Sequence, residues 1–460
     1  MTYRVRFEPV ISFAGASTPT PVSAAPTQLT RSKSKLGCRQ CKTKRVKCDE
    51  TYPVCQRCIR QGLICSAPSR LTQWQLEIPW FLPTVDSVVH RRLFQYWLER
   101  VSQQLVIDPE DNPFSFPILE YIAESPALVH IIQSVSARHE VYYSAEATVT
   151  ALEERGNALV SFRAELERSQ TEPRASLLTA MLLALSHGAD HDDMADYGKE
   201  HIFAAGILAR RIVRDISQDS ENDYMARLCF GMYLYMDMCS AFLVDSTEQP
   251  QRPYSLDVSI AVHKMGSWHH PMYGSCTELL YILANMGRYC RRALDSETHD
   301  RQQEGILEQQ ILGWDLSAAN HSLRLLYESL RSHGLILLYR ISGYHGQFIN
   351  PGLADLPMED LIHRDAIRTI NQLLEIPNSS NYLNFQTLPM LTAASELGMN
   401  DGQLQDKVRQ RFKAIYSLNR LPAILQAIDL LEELWTTRTY GDRSSWLDFM
   451  LKRGWRLQLG

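Results

Sequence analysis

A chain of 460 residues is several times the usual domain size, so about three structural units are expected. Hydrophobic residues make up 45% of it and charged residues 22%, an ordinary globular balance that excludes a wholly disordered chain. The formal net charge of −5 is unevenly spread: residues 31–65 hold ten Lys or Arg against two acidic groups and carry +8, whereas residues 66–460 carry −14. A polyanion partner is therefore expected for the small basic segment alone.

In chain order, residues 1–30 read as a disordered tail. The stretch from Ala14 to Lys35 is rich in Ser, Thr, Pro and Ala, with almost no large apolar side chain to repay ordering. Arg4 and Arg6 precede a short apolar stretch, but Glu8 and Pro9 interrupt it, so a secretory signal is not expected. Residues 31–66 form a cysteine-rich basic module. Residues 67–88 form a linker in which Pro68, Pro79 and Pro83 prevent a continuous helix, while Trp74, Trp80 and Phe81 suggest that it packs against something.

Residues 89–460 show helical spacing throughout. Examples are Leu93, Tyr96 and Trp97; Leu177, Leu178, Met181, Leu182 and Leu185; Leu279, Ile282, Leu283, Met286 and Cys290; and Ile424, Leu425, Ile428, Leu431 and Trp435. Each stripe is wide enough to face a core, so the body is expected to be many antiparallel helices. Asn112-Pro113-Phe114, Glu172-Pro173 and Asn350-Pro351-Gly352 read as turns or helix starts. The stretch from Leu228 to Val244 is too short and, with Asp237 inside, too polar for a membrane span.

Six cysteines fall between Cys38 and Cys65, and the intervals make Cys38, Cys41, Cys48 repeat in spacing as Cys55, Cys58, Cys65. A two-residue gap lets neighbouring thiolates reach one metal at ~2.3 Å. Two tetrahedral Zn²⁺ ions need eight ligand positions and six sulfurs are present, so two sulfurs must be shared; by the approximate repeat the bridging pair is Cys38 and Cys55. Metal binding should then supply most of the module's folding free energy. Three disulfides in a secreted mini-domain are the competing reading. The interleaved basic residues and four further cysteines in apolar helices, Cys229, Cys239, Cys276 and Cys290, favour a reducing compartment and buried thiols there.

The run from Cys38 to Cys65 resembles the fungal binuclear zinc cluster, the Zn₂Cys₆ transcription-factor family. The resemblance implies two Zn²⁺ ions on the six cysteines and a helix, after the second cysteine, that enters the major groove and reads a CGG-type triplet. By position it makes Lys44 and Arg45 the base readers, whose donors match the O6 and N7 acceptors of guanine. Arg39, Lys42, Lys47, Arg57 and Arg60 become phosphate contacts, and Pro53 matches the proline of the loop joining the halves. Lys33, Lys35 and the basic run from Lys42 to Lys47 suit nuclear import.

The stretch that opens FQYWLERVSQQLVIDPEDNPFSF, followed by LLTAMLLALS and HIFAAGILARRIV, is similar to the fungal-specific transcription-factor regulatory domain. That likeness implies an all-α region controlling activity, with coactivators or a small effector as partners. Met232, Tyr233, Tyr235, Met236 and Met238 could line a pocket, although such a stripe is more often core. His187, His191, Asp192, Asp193 and His201 form the only other metal-like group, best read as a polar interhelical turn, and His269-His270 before Pro271 reads as another turn. No nucleophile elbow or phosphate or dinucleotide loop is found, so an enzyme is not expected. Residues 66–92 lack the heptads of a dimerising coiled coil, leaving monomer and homodimer both open.

The expected protein is thus a small binuclear Zn₂Cys₆ module joined by a Pro-containing linker to a large all-α regulatory domain. Its expected function is nuclear, sequence-specific and zinc-dependent regulation of RNA polymerase II transcription on double-stranded DNA, with no membrane role. The alternative is a zinc-dependent structural or adaptor protein that binds protein or RNA.

Overall fold

The computed structural model describes residues 37–51, 54–66, 89–115, 117–122, 125–140, 145–168, 173–189, 194–217, 224–249, 256–315, 320–343 and 357–460. The expected tail, the 67–88 linker, Pro53, the turn at Asn350-Pro351-Gly352 and the trio His191, Asp192, Asp193 lie outside them.

The chain is helical, and among the described residues the only β pairing is an isolated bridge between His270 and Gly274. Two short helices, α1 (Arg39–Thr43) and α2 (Gln56–Arg60), hold Cys41 and Cys58 and are capped by Cys38 and Cys55. The body begins with α3 (Arg91–Tyr96), which widens into a π turn over Trp97–Val101, and continues with α4 (Leu119–Ile122), α5 (Pro126–Glu140) and α6 (Ala145–Leu166). Next come α7 (Pro173–Gly188), α8 (Lys199–Ser217), α9 (Tyr224–Ser240), α10 (Leu256–Met265) and α11 (Thr277–Ser296). The remainder is α12 (Arg301–Gly313), α13 (His321–Ser342), α14 (Met358–Glu375), α15 (Thr387–Ala394), α16 (Gly402–Asn419), α17 (Ala423–Thr439) and α18 (Trp446–Lys452).

Helices adjacent in sequence pack as neighbours, α5 on α6, α7 on α8, α13 on α14 and α16 on α17. The stripe expected on α11 is buried as read, with Leu279, Leu283, Met286 and Cys290 all inaccessible and Ile282 nearly so. On α17 the buried face is turned from the expected one: Leu425 and Ile428 are only half-buried, and Ala427, Leu430 and Leu434 take their place beside Ile424, Leu431 and Trp435. α7 is buried almost all round, which suits its lack of a polar face.

Local chemistry sets the helix ends. Asp300 caps α12 by accepting from the backbone N–H groups of Gln302 and Gln303 at 3.0 Å. Asn320 caps α13 from Leu323 N at 2.8 Å, and Gly343, at φ 59°, closes it. The Asn112-Pro113-Phe114 turn forms as expected: Asn112 Oδ1 accepts from Phe114 N at 3.0 Å, and the buried Trp97 indole donates to Phe114 O at 2.7 Å. His270 makes its turn from inside the core, accepting from Met272 N at Nδ1 and donating from Nε2 to Leu228 O at 3.0 Å. Burial drives its pKa down to about 3.

The four cysteines outside the cluster are buried, as expected of small apolar residues. Arg288 and Asp237 form a buried ion pair between α11 and α9. Among the described residues no helix is long and apolar enough to cross a membrane.

Candidate metal centre and nucleic-acid interface

The two halves of the cysteine module share one backbone plan. Cys38 and Cys55 stand at the N-terminal ends of α1 and α2, and the Sγ of each accepts from the N–H three residues on, Cys41 and Cys58, at 3.4 Å. Each helix then reverses at a residue with positive φ, Arg45 at 52° and Gly62 at 56°. Behind it the next N–H returns to the second cysteine's carbonyl, Val46 N to Cys41 O at 3.0 Å and Leu63 N to Cys58 O at 2.9 Å. Asp49 joins the halves, its Oδ1 accepting from Thr51 N and Gln56 N at 3.1 Å. Burial alone would raise its pKa, but these hydrogen bonds hold it at about 2.

All six sulfur-bearing side chains are at most 3% exposed. Their Sγ atoms fall into two groups of four, Cys38, Cys41, Cys48, Cys55 and Cys38, Cys55, Cys58, Cys65, each group within 4.8 Å of one another. Cys38 and Cys55 belong to both. The Sγ separations of 3.9 Å (Cys38–Cys55) and 3.8 Å (Cys38–Cys58 and Cys41–Cys55) match the ~3.8 Å edge of a tetrahedron with a Zn–S bond of ~2.3 Å. Burial pushes the Cys38 thiol up to about 12 and raises Cys55 and Cys65 as well. Thiolates this close and this buried require a cation between them, which is the chemistry of a zinc donor set. Further N–H donors face the sulfurs, Glu50 N on Cys48 at 3.4 Å and Cys55 N on Cys65 at 3.5 Å, an outer shell that suits anionic sulfur.

The basic residues are arranged asymmetrically. Arg39, Lys42, Lys44, Arg45 and Lys47 are all exposed on the first half. Lys44 caps the C-terminus of α1 and Arg45 follows it in left-handed geometry, so the pair projects from the end of the helix rather than from its side. Arg60 is exposed on α2, while Arg57 is half-buried with Nη1 4.0 Å from Cys41 Sγ.

Sequence reasoning missed the opposite surface. In the second half, Ile59 and Leu63 stand at the positions of Lys42 and Val46, and they pack with the buried Val54 into the core of the body. Cys65 N donates to Ser417 Oγ of α16 at 3.0 Å, and Gly62 lies against the Gln410 side chain. The signal lay in that replacement of Lys42 by Ile59. His187 pairs with Asp196 at 2.6 Å and meets the His201 ring edge-on at 5.7 Å, a polar contact at the end of α7. Tyr235 borders a small cavity between α5, α7 and α16, whereas Met232, Met236 and Met238 are core.

The cysteine cage and the helical body define a fungal zinc-cluster transcription factor. Residues 92–460 match the fungal-specific transcription factor domain, and residues 36–75 match the fungal Zn(2)-Cys(6) binuclear cluster domain, whose cofactor is a pair of zinc ions. The chain belongs to the fungal-specific transcription factor domain family. It is similar to the Zn(2)-C6 fungal-type transcription factor afumD of Aspergillus fumigatus, 50% identical over 38 residues, which are 8% of this chain and 10% of that protein. It is also similar to a Zn(2)-C6 fungal-type transcription factor of Gibberella zeae, 42% identical over 40 residues, 9% of this chain and 8% of that one. The chain thus matches about a tenth of the length of these relatives. No solved structure matches the chain.

Proposed function

We propose that this protein is a nuclear, zinc-dependent, sequence-specific regulator of RNA polymerase II transcription that reads CGG-type triplets in the major groove of DNA. The observation that carries this reading is a cage of six buried sulfurs directly beneath an exposed basic surface. Its six cysteines would hold two Zn²⁺ ions, with Cys38 and Cys55 in both donor groups and Cys41, Cys48, Cys58 and Cys65 in one each. The ions supply rigidity and the chain's own groups do the reading. Lys44 and Arg45, thrust forward at the end of α1, donate to guanine O6 and N7. Arg39, Lys42, Lys47 and Arg60 contact phosphates. Arg57 belongs to the same set, with a guanidinium that also faces the Cys41 sulfur.

The test is selection from randomised duplexes with the zinc-loaded full chain. Enrichment of CGG-type triplets, lost on chelation, is the expected result, and log K for the selected site should fall with log salt at about −0.9 per phosphate neutralised. Absence of any enriched sequence, or binding indifferent to salt, would refute the reading.

A further inference from the structure

Helix α6 is 22 residues long and packs one face on α5. That face carries the buried Ala151, Ala158 and Phe162, together with Glu165, which accepts from Ser125 Oγ at 2.8 Å and Ala127 N at 2.9 Å at the start of α5. The side turned away from α5 is apolar too. Of the thirteen large hydrophobic side chains exposed among the described residues, five stand there: Val149, Leu152, Leu159, Val160 and Leu166, between 41% and 73% exposed. Exposed apolar residues scattered singly need no explanation, but five on one side of one helix mark a contact surface.

Their spacing is that of a seam. Val149, Leu152, Gly156, Leu159, Arg163 and Leu166 follow one another at alternating intervals of three and four residues, the a and d positions of a helix that pairs with another. Gly156 is the unusual member. It sits mid-helix, where glycine is unfavourable, and a Cβ built on it would have nothing within 4 Å, so no contact inside the chain calls for it. Arg163 has Glu167 at 3.5 Å, but both side chains are mostly exposed and such a pair holds weakly.

The seam is complementary to itself when reversed. A twofold axis between residues 157 and 158 sets Val149 opposite Leu166 of a second copy, Leu152 opposite Arg163, and Gly156 opposite Leu159. Leu159 of each copy then enters the recess at Gly156 of the other. The stem of Arg163 covers Leu152, and its charged head comes level with the exposed Glu153 across the seam. Every position is used twice, as a twofold interface requires. Parallel pairing would instead stack Arg163 on Arg163 and face one glycine with the other, so the antiparallel arrangement is favoured.

We propose that the protein pairs with a second copy of itself through the exposed faces of two antiparallel α6 helices, centred on Gly156 and Leu159. The inference is independent of the function proposed above, because it involves no residue of the zinc module.

Sedimentation equilibrium of the zinc-loaded full chain tests it, and a concentration-dependent species of twice the chain's mass is expected. Gly156→Glu spares the fold, since its site is open and glutamate is the better helix former, and it fills the recess with a charged side chain. It should leave the monomer's unfolding midpoint unchanged or higher while weakening pairing by at least about tenfold. Glu153→Arg and Arg163→Glu should each weaken pairing about three- to tenfold, and the two together in one chain should restore it, because the charges are then exchanged across the seam. A chain that stays monomeric at every concentration would overturn the proposal and leave the face to a different partner. A dimer indifferent to Gly156→Glu would put the contact elsewhere and overturn it equally. Failure of the double exchange to recover the affinity lost in the single ones would refute the antiparallel register.

Discussion

Replacing Cys38 by Ser separates a shared-sulfur cage from six independent ligands. Cys38 lies within 4.8 Å of the other members of both sulfur groups, and Cys65 belongs to only one. Cys38→Ser therefore removes a ligand from both tetrahedra, and Cys65→Ser from one. Structural zinc supplies about 10–16 kcal/mol in small modules, more than the whole stability of most domains. Helices α1 and α2 have five residues each, too short to persist unaided. Cys38→Ser is thus expected to hold almost no zinc, to lose sequence-selective DNA binding and to expose the amides of residues 37–66 to fast exchange. Cys65→Ser should keep about one ion. Elemental analysis gives the ratios, and far-UV circular dichroism should change little, because only two five-residue helices are lost from a body built mostly of longer ones. Equal zinc content in the two variants would refute the shared-sulfur argument.

At the DNA surface, Lys44→Ala should relax the selected sequence, whereas Lys47→Ala should weaken all sites alike and reduce the salt slope by about 0.9; an unchanged preference in Lys44→Ala would remove it from the readers. In the body, Asp237→Ala leaves Arg288 buried without its charge partner and should destabilise the fold by about 3–5 kcal/mol in urea unfolding, with the apolar pair Asp237→Leu and Arg288→Met recovering most of it. Stability should also fall in acid. His139, His270 and His333 each titrate at about 3 when folded because burial excludes the charged form, against about 6.5 unfolded. Between those values the unfolded chain binds the extra protons, so stability rises with pH and is lost as pH falls from about 6 toward 3, at up to about 1.4 kcal/mol per pH unit for each histidine. His270→Gln should flatten the slope by about one proton, and an unaltered slope would contradict its burial in neutral form.

The features legible in the sequence are those set by near neighbours. The cysteine intervals gave the two-by-three repeat because a thiol pair on one helical turn has fixed reach. The α11 stripe was legible because the helix is strongly one-sided, and the turn at Asn112 because an Asx–Pro pair bonds its own backbone. What escaped depends on distant segments. Nothing near Cys65 points to Ser417. The rotation of the α17 face is set by what α15 and α16 present to it. The position of Lys44 and Arg45 at a helix end, rather than on its side, follows from the left-handed backbone at Arg45, a conformation that an arginine gives no warning of. Arg57 looked like its basic neighbours until the fold set it beside a sulfur.

The matched reversals at Arg45 and Gly62 show one scaffold dressed twice. In the first copy its outer positions carry cations; in the second they carry isoleucine, glutamine and glycine, and that copy is cemented to the protein's own flank. A duplicated unit has thereby acquired a front and a back. The charged copy inherits its aim from the mass behind it, so a change of posture in the body becomes a change of posture in the copy that faces outward.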